Sequence, residues 1–150
     1  MYWNSDRSLK LSKICIYIFF VSGVLLCIFA PYLLNLLVEM RPDVLKGKLP
    51  LLYLSVYCLS LPAFLALYNL YRLLDNIDKQ LVFTQGNVSI LRSLSWLCIL
   101  AGVISLVSSL YYLPFLIVGI LAAFVGLILR VVKNVFCEAV QLKADNDFTI

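Results

Sequence analysis

The side chains able to do acid–base chemistry are few: Asp75, Asp78 and Lys79 stand in one charged segment, and Glu138 and Lys143 in another. Carboxylates beside a lysine are what an enzyme acting on lipid headgroups would need to hold and move a proton. A solvated, charged rim uses the same residues, and their spacing does not single out chemistry. The chain has no histidine, and its five cysteines, at positions 15, 27, 58, 98 and 137, form no CxxC pair. Ordinary metal-site and thioredoxin spacings are therefore absent, and the cysteines are expected to act as small apolar packing residues. No phosphate-binding glycine–lysine loop, dinucleotide fingerprint, paired-histidine zinc motif or serine elbow occurs. The expectation is a non-enzymatic protein with no catalytic residues, no metal and no cofactor.

The elements that must carry these residues are unusual in composition. Of the 150 residues, 63% are hydrophobic, against about 45 to 50% in a soluble domain. Four stretches without a charged side chain fill most of the chain, at about 14–38, 49–71, 93–112 and 113–129. A bilayer core of ~30 Å takes about 20 residues of helix, so each stretch is long enough to span it. The fold expected is all-α, a mostly antiparallel four-helix transmembrane bundle forming one integral membrane domain over 1–150. A loop at 72–92 and a tail at 130–150 stand outside the spans. The first stretch is too long for a cleaved secretory signal and is expected to stay in place.

Charge sets the expected orientation. Arg7, Lys10, Lys13, Arg72, Lys79, Arg92, Arg130, Lys133 and Lys143 fall on one side and only Arg41, Lys46 and Lys48 on the other. Basic residues favour the cytoplasmic side, so both termini are expected inside a bacterial plasma membrane, with an outer hairpin at Tyr111-Tyr112-Leu113-Pro114. Tyr17, Tyr68, Tyr71 and Trp96 would mark the inner interface, and Tyr53, Tyr111 and Tyr112 the outer one. Topology accounts for the formal charge of +4, which leaves no sign of nucleic-acid binding.

Within the spans the informative residues concern packing. Pro31 and Pro62 each remove a backbone donor and are expected to bend their helices. Ala101, Ser105 and Ser109 recur every four residues, and Gly119 with Ala123 and Ala122 with Gly126 do likewise. Such small-residue rows allow close helix approach, either in a hairpin of the last two spans or in a seam of a homo-oligomer. The spans contain no carboxylate or basic group of the kind that ion-coupled transporters use. Asn35, Asn69 and Ser60, if gathered round one cavity, would line a neutral path.

More specific residues lie between and after the spans. Thr84 fits a helix N-cap, placing Asn87 at N3 as a short capping-box partner, with Phe83 and Val88 in hydrophobic-staple positions. Arg92, just before the third span, is placed to snorkel to headgroups. After the fourth span, Val132, Val135, Phe136, Ala139, Val140 and Leu142 form an apolar face opposite Lys133, Asn134, Glu138 and Gln141. This extension is suited to lie on the membrane, pack back on Phe83, or present a groove to a protein.

The pattern Phe83-Thr84-x-x-Asn87-x-x-x-Leu91-Arg92, followed by Glu138-Ala139-x-x-Leu142-Lys143-x-x-Asn146-Asp147-Phe148-Thr149-Ile150, resembles the bacterial family called domain of unknown function 2975. Together with the four-span layout, the resemblance covers nearly the whole chain. It implies small plasma-membrane proteins without an established activity, often encoded beside a small helix-turn-helix regulator. Carried over by motif, Phe83, Thr84, Asn87, Leu91, Arg92, Glu138, Leu142, Asn146 and Asp147 are the candidate partner-binding positions. The chain departs from the family where Gly86 or Gln85 stands, since an acidic residue is common there. The expected function is to bind or sequester a cytoplasmic regulator at the inner face. Self-protection against a membrane-active peptide, or a channel or transporter accessory for neutral solutes, are the alternatives.

Overall fold

Helix is dictated wherever the chain must satisfy its own backbone in lipid, and the computed structural model is helical through almost every residue it describes. It describes residues 3–147, with side chains for 7–145. Phe148, Thr149 and Ile150 lie outside the described residues, as do the side chains of Asn146 and Asp147. The helices are α1 (Trp3–Met40), the short α2 (Pro42–Leu45), α3 (Leu49–Asp78), α4 (Gln85–Ser108) and α5 (Pro114–Asp147). Four of them are long and apolar enough to cross a membrane.

The helices are not coextensive with the uncharged stretches, each for a local reason. The third span ends at Ser108, because Pro114 opens α5 at a position where a missing N–H costs nothing, leaving 109–113 as the turn. The segment 72–92 is mostly helix: α3 runs on to Asp78 and α4 begins at Gln85, so only 79–84 is left between them. An i,i+4 pair between Asp75 and Lys79, at 2.7 Å, supports the charged end of α3. The tail is the second half of α5 itself. At 34 residues α5 is about 51 Å long, so it continues well past a ~30 Å apolar core.

The backbones pack in the order α1, α3, α4, α5, with α1 resting chiefly on α3. α4 and α5 form the most intimate pair. A Cβ placed on Gly102 would lie 3.3 Å from Gly119 O and Ala123 N, and one on Gly126 3.3 Å from Ser95 O. Gly119, Ala123 and Gly126 thus lie at the α4–α5 contact within the chain. Ala101 and Ala122 are half-buried, Ser109 caps α4 at its C-terminus, and Ser105 is fully buried. Gly102, not singled out by the sequence rows, is an α4 residue of this close approach.

The prolines are accommodated in different ways, and both helices continue through them. Pro31 leaves the carbonyl of Cys27 without its helical donor, and the Tyr57 hydroxyl of α3 donates to that oxygen at 3.4 Å. Tyr53 donates to Pro31 O in the next turn. Pro62 is buried in α3. At the hairpin end, Leu34, Leu45 and Leu52 form a core joined by Tyr111, Tyr112 and Phe115. Ser55 links there to the Ser108 and Tyr111 hydroxyls.

Candidate functional site

The opposite end gathers the start of α1, the end of α3, the 79–84 corner, the start of α4 and the second half of α5. α3 stops in a Schellman arrangement, with Leu81 N–H donating to Asn76 O and Gln80 N–H to Ile77 O, both at 2.9 Å. Gln80 occupies the left-handed position at φ 60°, where glycine is usual. Four residues on, Thr84 caps α4 as its sequence suggests, accepting from Asn87 N–H.

Asn87 does something its sequence position did not reveal. Its side chain is fully buried and donates to both Leu81 O and Val82 O at 2.7 Å, while accepting from Asn76 Nδ2 at 2.7 Å. It is a clamp on the corner rather than a member of a capping box. The clamp requires an amide donor, which Glu, the usual box residue, lacks. Val88 is buried, and Phe83 sets its ring against Phe136 of α5, with centroids 5.6 Å apart. Among the three placements open to the α5 extension, this contact packs it back on the corner. Beneath lies a core of Leu73, Ile90, Leu91 and Leu94, flanked by Leu129, Val132 and Phe136.

Of the candidate partner-binding residues, Asn87 and Leu91 therefore face inward and shape the corner from within. Thr84 is half-buried at its cap, while Phe83, Arg92, Glu138 and Leu142 are exposed. Leu81 is 53% and Leu142 65% exposed, both beyond the uncharged spans.

The groups suited to acid–base work do not converge on an open site. Lys13 of α1 bridges Asp75 at 3.2 Å and Asp78 at 2.8 Å, and Lys79 holds the other oxygen of Asp75. Asp75 lies past the span that ends near Tyr71, and its hydrogen bonds to Lys79 and Lys13 hold its carboxyl below the usual range. The Tyr17 and Tyr71 rings meet edge-on at the same end. No metal-binding group of three His, Cys, Asp or Glu occurs among the described residues.

A cavity of about 690 Å³ lies between the helices, bordered by Gly23 and Cys27 of α1, Ala63 and Phe64 of α3, Cys98 of α4 and Val125 of α5. Ser60 reaches it, but its hydroxyl donates back to Tyr57 O at 2.7 Å. Asn35 is engaged with Tyr53, and Asn69 with Ser93 at 3.1 Å. The three residues named for a neutral path do not gather, and the cavity is apolar.

Four long helices, each carrying an apolar run free of charged side chains, define a multi-pass helical membrane protein. Residues 14–150 match the family described as "Protein of unknown function (DUF2975)", and the chain belongs to it. It is similar to the uncharacterized membrane protein YoaS of Bacillus subtilis (strain 168), 24% identical over 152 residues, covering 92% of this chain and 94% of that one. No solved structure matches it.

Proposed function

We propose that the protein acts at a bacterial plasma membrane as a docking platform, with both termini inside and the 79–84 end binding a cytoplasmic protein. The observation that carries this reading is the Phe83–Phe136 contact. It joins the corner and the α5 extension into one body beyond the spans, on which Leu81 and Leu142 remain exposed. Exposed apolar side chains on a fixed surface outside lipid favour protein contact. The uneven charge of the two ends favours the inside placement, and the lack of a convergent acid–base group among the described residues favours binding over catalysis. A small helix-turn-helix regulator is the partner the family's gene neighbourhoods suggest. Sequestration would follow from holding it at the membrane.

The test is site-specific photocrosslinking of the full-length chain in its native membrane, from position 142 and, as a control, from position 112. A cytoplasmic protein captured from 142 alone, and lost on Leu81→Ser, is the expected result. Capture from both positions alike, or only of lipid or envelope proteins at 142, would refute the docking face.

A further inference from the structure

Arg92, Ser95 and Trp96 of α4 and Arg130 and Lys133 of α5 line one cleft of about 290 Å³. Three cationic residues from two helices thus border it, and none of them has a carboxylate partner among the described residues. The carboxylates of Asp75 and Asp78 are taken by Lys13 and Lys79. Like charges drawn into one cleft repel, and an anion relieves that repulsion. The helices hold the cations in place: Ser95 Oγ donates to Gly126 O at 2.8 Å across the α4–α5 seam, and the Arg130 guanidinium stands 5.5 Å from the centre of the Trp96 ring.

We propose that this cleft binds the phosphate-bearing headgroup of an anionic lipid. The two guanidinium groups offer the planar donor fork that phosphate oxygens fit, and Lys133 adds a third positive charge. Depth identifies lipid rather than dissolved phosphate as the source. Arg92 immediately precedes the uncharged run 93–112, and Arg130 immediately follows the uncharged run 113–129. Both cations therefore stand at the edge of the apolar core, at headgroup level, and Trp96, 58% exposed, is a residue type that favours that level.

The full-length chain carrying Trp3→Phe, which leaves Trp96 as its single tryptophan, is placed in nanodiscs. Trp96 fluorescence is quenched by phosphatidylglycerol brominated on its acyl chains, and in parallel by brominated phosphatidylcholine at the same mole fraction. The expected result is preferential quenching by phosphatidylglycerol, falling about fivefold for each cation removed by Arg130→Gln or Lys133→Gln. Arg72→Gln, at the same end but outside the cleft, should leave the preference unchanged. Arg130→Lys, which keeps the charge, should retain part of the preference and exposes any loss due to misfolding alone. Equal quenching by the two lipids would overturn the site. An equal loss with Arg72→Gln would assign the preference to general surface charge and overturn it as well. Abolition of the phosphatidylglycerol preference by millimolar inorganic phosphate at constant ionic strength would overturn the lipid assignment in favour of a free anion.

Discussion

Replacing Asn87 by Asp changes one side-chain atom and should open the corner. The amide nitrogen of Asn87 supplies both hydrogen bonds to Leu81 O and Val82 O, and its oxygen accepts from Asn76. Aspartate keeps the third bond, loses the first two and turns a carboxylate oxygen toward two carbonyl oxygens. At ~1 kcal/mol for each of three net hydrogen bonds, full loss in an alanine variant would cost ~3 kcal/mol. A value of about 0.7 kcal/mol for each bond, toward the weaker end of the range, puts the expected cost at ~2 kcal/mol. That is about a 30-fold rise in the local opening equilibrium. The aspartate variant should be at least as open as the alanine one, since repulsion is added to the lost bonds. Hydrogen exchange by mass spectrometry on the protein in nanodiscs reads this directly: amides of 79–88 should exchange faster while those of 97–108 stay unchanged. Less than about a threefold change in the aspartate variant, or acceleration spread evenly over α4, would refute the clamp.

Gln80→Gly should stabilise the chain by ~1 kcal/mol, because glycine adopts the left-handed C′ conformation without the Cβ penalty; an unchanged or lower unfolding midpoint would speak against the strained corner. Gly102→Val should destabilise it by ~1 to 3 kcal/mol or more, since the added atoms meet backbone of α5 that cannot turn aside, and unchanged stability would contradict the tight seam. Tyr57→Phe should cost ~0.6 kcal/mol on its own and almost nothing in a Pro31→Ala background, where a backbone N–H is restored to Cys27 O; additive losses in that double-mutant cycle would deny the tyrosine its substitute-donor role. Asp75 has a depressed pKa when folded, so its contribution is present above its unfolded pKa and lost as pH falls through the folded value. Spin labels on the Lys13 end of α1 and on α3 should therefore separate in acid, and Asp75→Asn should weaken that response, with Asp78 still holding Lys13.

How much of this was legible in sequence follows from what a bilayer does to hydrophobic patterning. The existence of the helices was readable because length without charge is itself the signal, and the Thr84 cap was readable because capping is local chemistry. Which face of each helix packs was not, since lipid is as apolar as a protein core and a lipid-facing leucine looks like a buried one. Ile18 is 61% exposed and Ile16 is buried two residues away, with nothing in residue type to separate them. Only small residues carry packing information there, and even they are ambiguous: the row through Ala101, Ser105 and Ser109 was visible, whereas Gly102, one residue away, makes the close approach. Ser105 is on the row and fully buried, yet its hydroxyl has no partner among the described residues, so its value there lies in its small size. Asn87 was misread for the opposite reason. Local rules placed it correctly at N3, but its partners belong to the preceding turn, and an amide that clamps carbonyls is distinguishable from a weak capping box only once Gln80 has turned the chain back toward it. In this chain the polar residues that sequence places well are those whose partners lie within one turn of their own helix, and the others become intelligible when two helix ends are brought together.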